Sequence, residues 1–212
     1  MKAKKCVVMV VAFAVAMMLT ASAANAQTTK AEKDALIKLL KQSKDDLHKT
    51  VKGLNEEQLK WKPAPERWSV RECVEHLALA EDFLKQLIHE KVMVAPAAPG
   101  KKTAAQIKEG DDMLYQRIPD RSQKAQAPEP TRPGGTTNWN NFKDVLSSFD
   151  TRRKATIEEV KSSKEDLRAH MMDSPIVKEM DAYQWYLLIA LHTQRHTAQA
   201  KEVIATAGFP EK

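Results

Sequence analysis

Apolar residues recur at intervals of three and four over most of this chain, and runs of alternating apolar and polar residues are nearly absent. That spacing places apolar side chains on one face of an α-helix, and such a face must be buried against other helices. Four long segments carry the pattern. The sequence therefore predicts an all-α fold, and four helices of this kind favour a four-helix bundle.

Capping signals locate the ends of the four predicted helices. SVRE forms a capping box in which Ser69 and Glu72 satisfy each other's backbone N–H groups, so the second helix begins there. Gly53 suits the position just after the first helix, and Asp181 suits the cap of the fourth. The predicted helices cover about residues 29–52, 69–88, 139–161 and 181–207.

A connection over residues 94–138 joins the second and third helices and contains six prolines. Residues 103–115 within it are compatible with a short helix, and the rest is expected to be irregular. Because so long a connection is uncommon within a compact domain, it is expected to be either functional or mobile. The predicted architecture is a four-helix bundle with a long crossover between helices 2 and 3.

The first 26 residues have the pattern of a secretory signal peptide. A basic MKAKK precedes the apolar CVVMVVAFAVAMMLT, and Ala24 and Ala26 supply the small residues of a cleavage site after Ala26. The apolar run is short for a membrane anchor, although an uncleaved anchor is the alternative. The domain is then residues 27–212, secreted or periplasmic, with no stable membrane anchor after cleavage.

Charge and cysteine content narrow the partners and the means of stabilisation. The whole chain carries a formal charge of +6, and removal of Lys2, Lys4 and Lys5 with the signal leaves +3. This mild, mixed charge has no basic block, which argues against a nucleic-acid partner. Cys73 is the only cysteine after residue 26, so no internal disulfide is expected.

Two of the six histidines, His192 and His196, lie four residues apart in the apolar run WYLLIALHTQRHTAQAKEVIA. Steps of four and three from Trp185 and Ile189 pass through both, so both are expected to face the bundle core. In the second helix, His76 lies at the edge of the buried stripe. The remaining histidines lie on a different face or among charged residues: His48, His89 and His170.

Three inward imidazoles from two helices predict a metal site formed by His76, His192 and His196. A divalent cation would bind one nitrogen of each ring, whose burial is otherwise costly. Three neutral nitrogen ligands leave positions open for water or substrate, which is typical of catalytic sites. Such ligands in an exported protein favour zinc, with nickel, manganese or iron as alternatives. Hydrogen-bonded core histidines without a metal remain the other interpretation.

Other residues are candidates to support this site. Gln199 and Glu72 each lie one helical turn from a candidate ligand and could orient an imidazole, although Glu72 also has the capping role. Tyr183, Tyr186 and Glu72, with the crossover, are candidates to shape a pocket, whereas Trp185 is expected to be core. The catalytic residues are unknown, since the sequence has no Ser-His-Asp pattern, glycine-rich phosphate loop or HExxH motif.

At these positions the chain resembles a known family. ERWSVRECVEHLALAED resembles the second-helix signature of the DinB-like superfamily of metal-binding four-helix bundles, whose first metal ligand corresponds to His76. LHTQRHTAQ resembles the fourth-helix signature, in which His192 and His196 complete the ligands, with Arg195 and Gln199 in their common places. IPDRSQKAQAPEPTRPGG and DAYQWYLLIALH resemble segments of exported members.

The resemblance implies an up-and-down bundle with a long crossover, often a dimer, and a divalent ion on three histidines. Some members resemble thiol-dependent transferases and many are described as metal-dependent hydrolases. The signal peptide weakens the transferase expectation, because such thiols are kept inside the cell. The leading hypothesis is an enzyme that activates water or a thiol against an unidentified small molecule. The alternative is a non-catalytic periplasmic metal-binding or stress-associated protein.

Overall fold

The computed structural model describes residues 27–122, 124–135 and 137–211, and the predicted signal peptide lies outside them. Within these ranges the fold is a four-helix bundle with a long crossover between the second and third long helices, as predicted. The helices are α1 (Lys30–Val51), α2 (Glu56–Lys60), α3 (Val70–Leu87), α4 (Ala104–Arg117), α5 (Phe142–Ser162) and α6 (Ala182–Ile204). None of the described helices is both long and apolar enough to cross a membrane.

Capping interactions set the starts of the helices. The Ser69 hydroxyl accepts from the backbone N–H of Glu72, and the Glu72 carboxylate accepts from that of Ser69 at 2.8 Å, which is the predicted capping box. Asp181 caps α6 as predicted, and the Gln184 side chain completes that box. Gly53 follows α1 with a φ of 77°, the left-handed conformation that glycine adopts at no steric cost.

The bundle core has two halves, and their composition gives the helix directions. The half nearer the α3 N-terminus is built from residues of all four long helices, including Val51, Val74, Phe142, Phe149 and Val203. The other half likewise includes Leu36, Leu40, Ile88, Val160 and Leu187. The N-terminal end of α5 therefore lies with the C-terminal end of α1 and the N-terminal half of α3.

Two pairs of neighbouring helices consequently run parallel. α3 packs on α5 and α1 packs on α6, each pair parallel, while α3 and α6 are antiparallel neighbours. This differs from the up-and-down order that the resemblance implied. The reason is the crossover, which carries the chain back along the bundle so that α5 starts at the same end as α3.

The crossover is folded onto the bundle rather than left as an open loop. α3 ends in a π-helical turn, Ile88–Val92, after which the chain enters α4, the helix expected over 103–115. α4 packs across α6 so closely that a Cβ on Gly110 would lie 2.4 Å from the Gln184 side chain. A 3-10 turn at Glu129–Thr131 then packs on α3. Both contacts bring the crossover over the two helices that carry the candidate ligands.

A buried arginine joins the four long helices in the middle of the bundle. Arg153 is fully buried, and its guanidinium donates to both carboxylate oxygens of Glu81 at 2.8 Å. The remaining N–H groups reach the Leu40 carbonyl at 3.0 Å, the Ser43 hydroxyl at 2.9 Å and the Thr193 hydroxyl at 2.7 Å. Every donor of this cation is therefore satisfied, which is what makes its burial tolerable.

A second buried arginine fixes the start of α6. Arg168 donates to Glu32, Asp111 and Asp181 and lies over the Tyr183 ring, 3.8 Å from its centroid. Burial raises the pKa of Asp181 to about 6, against the opposing effect of Arg168. The segment before α6 is a hairpin of two short antiparallel strands, Met171–Met172 and Met180–Asp181. These contacts anchor α1, α4 and α6 to one another.

Candidate metal centre

The three predicted histidines meet between α3 and α6. The Nε2 atom of His192 lies 3.2 Å from Nε2 of His76 and 3.0 Å from Nε2 of His196. One ligand atom from each ring can be chosen so that all three lie within 4.8 Å of one another. His76 and His196 are buried and His192 is partly buried. The spacing of four on α6 and the buried stripe of α3 thus produce the expected convergence.

The outer nitrogens of two rings are held by oxygen acceptors. Nδ1 of His76 lies 2.7 Å from the Thr131 carbonyl oxygen, and Nδ1 of His196 lies 2.8 Å from Oε1 of Gln199. Arg121 donates to the same Oε1 at 3.2 Å, which fixes the orientation of the Gln199 amide. Because these oxygens only accept, each Nδ1 carries the proton and each Nε2 presents a lone pair to the centre.

This arrangement leaves more acceptors than protons at the centre. The Nε2 lone pairs of His76 and His196 both face Nε2 of His192, which can donate at most one proton. A proton alone cannot satisfy three converging nitrogens, whereas a cation would accept a lone pair from each. The donor set therefore fits a divalent ion held by three neutral nitrogens with open coordination positions.

The electrostatics of the site keep the rings neutral. Burial lowers the pKa of His76, partly offset by its hydrogen bond to Thr131. Burial, with added repulsion from His76 and from nearby arginines, lowers the pKa of His192 to about 3. Burial and the other two histidines hold the pKa of His196 well below its usual value. Neutral imidazole is the form that binds metals.

Outer contacts stiffen the α6 side of the centre. Arg121 forms a bidentate pair with Glu202, at 2.7 and 2.9 Å, and also donates to Gln199. Arg121 belongs to the crossover, and its contacts with Glu202 and Gln199 link the crossover to α6. Gln199 in turn contacts His196. The Trp68 ring forms a wall, with its centroid 4.9 Å from that of His76 and 5.7 Å from that of His196.

A cleft of about 740 Å³ opens beside His196. Its walls come from the segment before α3, from the crossover and from α6, and Trp68, Gln199 and Glu202 belong to them. A volume of this size suits a small organic molecule. The long crossover thus has a definite place in the fold, as one wall of the cleft and as the source of the Thr131 carbonyl.

The other sequence candidates differ in their relation to this centre. Gln199 orients a ring as expected, while Glu72 serves its capping box and accepts from Lys62 at 3.0 Å. Tyr183 and Tyr186 do not line the cleft; they pack in the other half of the core, which corrects the expectation that they shape a pocket. Their positions follow from their distance along α6, two to three turns before the histidines. Trp185 is core, as expected.

The three excluded histidines lie elsewhere and have their own partners. His48 Nε2 is 2.7 Å from Asp150, His89 Nε2 is 2.8 Å from Glu159, and His170 Nδ1 is 2.9 Å from the Ala95 carbonyl. Sequence reasoning missed Thr131 and Arg121 as contributors to the centre. A backbone carbonyl leaves no residue-type signal, and Arg121 stands in a segment without periodicity.

Fold and site together define a four-helix-bundle protein with a three-histidine centre of metal-binding type. The chain belongs to the DinB superfamily, whose profile matches residues 39–200. It is similar to the uncharacterized protein YuaE of Bacillus subtilis strain 168, with 28% identity over 153 residues, covering 72% of this chain and 87% of that protein.

Two solved structures share the fold. YfiT from Bacillus subtilis, described as a probable metal-dependent hydrolase with an unusual four-helix bundle topology, superimposes with a TM-score of 0.50 at 15% identity. That match covers 84% of this chain and 89% of YfiT. A conserved protein from Enterococcus faecalis gives a TM-score of 0.52 at 11% identity, covering 81% of this chain and 94% of that protein. At these identities the comparisons concern the fold alone.

Proposed function

We propose that the protein is a divalent-metal-dependent enzyme of the hydrolase class, with His76, His192 and His196 as the metal ligands. The observation that carries the proposal is the convergence of the three rings: Nε2 of His192 lies 3.2 Å from Nε2 of His76 and 3.0 Å from Nε2 of His196, while the outer nitrogens of His76 and His196 are committed to acceptors. Nitrogen ligands favour zinc, and nickel, manganese and iron are the alternatives that metal analysis decides among.

The residues of the chain would divide the work of such a site. A bound divalent ion would supply a Lewis acid that makes water, or a thiol, nucleophilic near neutral pH. The Thr131 carbonyl and Gln199 orient two imidazoles, which favours fixed ligand geometry. Trp68 packs against one side of the centre, and the cleft beside His196 would admit the substrate.

Metal analysis of the purified protein tests the ligand assignment. The expected result is close to one divalent ion per chain in the wild-type protein and in His48→Ala, whose ring pairs with Asp150 away from the centre. His192→Ala is expected to lose the ion, because only two ligands remain. Full retention of the ion by folded His192→Ala would refute the three-histidine site.

Turnover separates an enzyme from a binding protein. The metal-loaded wild-type protein is expected to hydrolyse an activated ester such as 4-nitrophenyl acetate faster than His192→Ala does. Equal rates in the two proteins would exclude metal-assisted hydrolysis. Stoichiometric metal with no turnover of esters, amides or added thiols would favour the non-catalytic metal-binding alternative.

Export and assembly complete the proposal. We infer from residues 1–26 that the chain is exported with cleavage after Ala26, and from the family resemblance that it forms a homodimer. Fractionation of the producing cell, with N-terminal sequencing of the mature protein, tests the first inference. Light scattering tests the second. Material found in the cytoplasm beginning at Met1 would contradict export.

A further inference from the structure

The cleft beside the candidate metal centre is strongly cationic. Among the described residues, five cationic side chains and two carboxylates line it. The cations are Arg67, Arg121, Lys124, Arg132 and Arg195, and the carboxylates are Glu66 and Glu202. Both signs are otherwise mixed over the chain, so this excess of positive charge is local to the walls of the cleft.

The cations of the cleft differ in their partners and exposure. Arg121 is committed to Glu202 and Gln199 and so supports the metal centre. Arg132 and Lys124 are exposed. Arg132 uses only Nε within the described part of the chain, donating to the Ala127 carbonyl at 3.2 Å. Arg132 lines the cleft, and its terminal nitrogens have capacity for another acceptor.

The same segment that supplies these cations also orients a candidate ligand. Arg132 directly follows Thr131, whose carbonyl oxygen accepts from His76 Nδ1 at 2.7 Å. An anionic group bound by Arg132 and Lys124 would thus lie on the crossover wall while the rest of the molecule extends toward the centre. Trp68 lines the same cleft and provides an apolar face, with its ring stacked on that of His196 at a centroid distance of 5.7 Å.

We propose that the substrate is a small organic anion, whose carboxylate or phosphate group is held by Arg132 and Lys124 of the crossover while its reacting group lies at the three histidines. This proposal rests on the proposed function for the identity of the reacting centre. A guanidinium pairs with either anion in a bidentate geometry, and a neighbouring ammonium adds charge. The cleft volume of about 740 Å³ sets the size class of the molecule.

Calorimetric titration with two simple anions tests the proposal. Malonate represents the carboxylate and inorganic phosphate represents the phosphate, with malonamide as the neutral counterpart of malonate. The metal-loaded wild-type protein is expected to bind at least one of the anions, more weakly as salt is added, and to ignore malonamide. The anion that binds more tightly assigns the group.

Paired charge variants decide where the anion lies. Arg132→Gln with Lys124→Gln is expected to weaken anion binding about ten-fold or more. Lys41→Gln with Lys154→Gln removes the same charge from exposed positions on α1 and α5 and is expected to leave the affinity unchanged. Equal affinity in both double variants would overturn the proposal, because the anion would then bind the ion alone.

Failure of the proposed function gives a different result. Titrations repeated on metal-free protein and on His192→Ala isolate the cationic wall from the metal. Anion binding that persists there and is lost in Arg132→Gln with Lys124→Gln supports this inference even if no metal is bound. Metal binding without any anion binding overturns the inference and leaves the metal site intact.

Discussion

Gln199 is held from two sides, and this makes it the clearest supporting residue of the centre. Its Oε1 accepts from Nδ1 of His196 at 2.8 Å and from Arg121 at 3.2 Å. The amide therefore cannot rotate without losing both bonds. The ring of His196 is in this way fixed in one tautomer before any ion arrives, which lowers the cost of metal binding.

Replacement of Gln199 by alanine should weaken the metal site without abolishing it. The three nitrogens remain, but His196 loses the acceptor that sets its tautomer, so the affinity for the ion should fall about ten- to hundred-fold. Competition with a chelator of known affinity measures the change. Gln194→Ala on the same helix is the control and should leave the affinity unchanged, and an equal fall in both variants would contradict the positioning role.

At the scale of residues, the sequence identifies the three candidate ligands. It does not determine which nitrogen of each imidazole ring carries the proton. Counting along the core-facing seam of α6 places His192 and His196 inward, and the capping box aligns α3 so that His76 faces them. The proton positions depend on Thr131, whose contribution is a backbone oxygen brought in from a distant segment. Such a contact requires the path of the crossover, which residue types alone do not specify.

The elements of the bundle are joined by polar contacts as well as by apolar packing. Arg153 and Glu81 link α5 to α3, and the same guanidinium reaches α1 through Ser43 and α6 through Thr193. Thr193 directly follows His192 along α6. The buried ion pair therefore lies beside the metal centre and fixes the rotation of α6 relative to its neighbours.

Replacing one partner of this ion pair should lower the free energy of unfolding much more than replacing both partners. Arg153→Met leaves the Glu81 carboxylate buried without a countercharge, and the free energy of unfolding should fall by about 3–5 kcal/mol. Addition of Glu81→Leu should recover most of that loss, since the Ser43 and Thr193 hydroxyls keep backbone acceptors in their own helices. Denaturant titration of both variants measures the difference. Equal stability of the single and double variants would contradict this account.

Element boundaries were predictable where the chain carries capping residues and long periodic stripes. The Ser69 box and the Asp181 cap are of this kind, and both are present in the structure. α2 and the two-residue strands are too short to show a period, so no pattern of residues predicted them. Arg153, by contrast, does have a signal in the sequence: it stands four residues from both Phe149 and Ile157, within the buried stripe of α5.

At the scale of the whole molecule, the site depends on the order and directions of the helices. The crossover returns the chain to the end where α3 begins, and in doing so it passes over α3 and α6. The ligands come from these two helices, whereas the Thr131 carbonyl and Arg121 come from the crossover. From its length alone, the crossover is expected to be either functional or mobile. In the structure it completes the centre.

Metal binding should therefore protect the crossover, and hydrogen exchange can measure this effect. The amides of Thr131 and Arg132 are bonded within the turn, to the carbonyls of Pro128 and Glu129. Opening the turn removes the acceptor of His76 and disturbs the metal site, so loading with the ion should slow exchange of both amides. His192→Ala should show no slowing. Slower exchange in α1 with unchanged exchange at Thr131 and Arg132 would mean that the crossover opens independently of the centre.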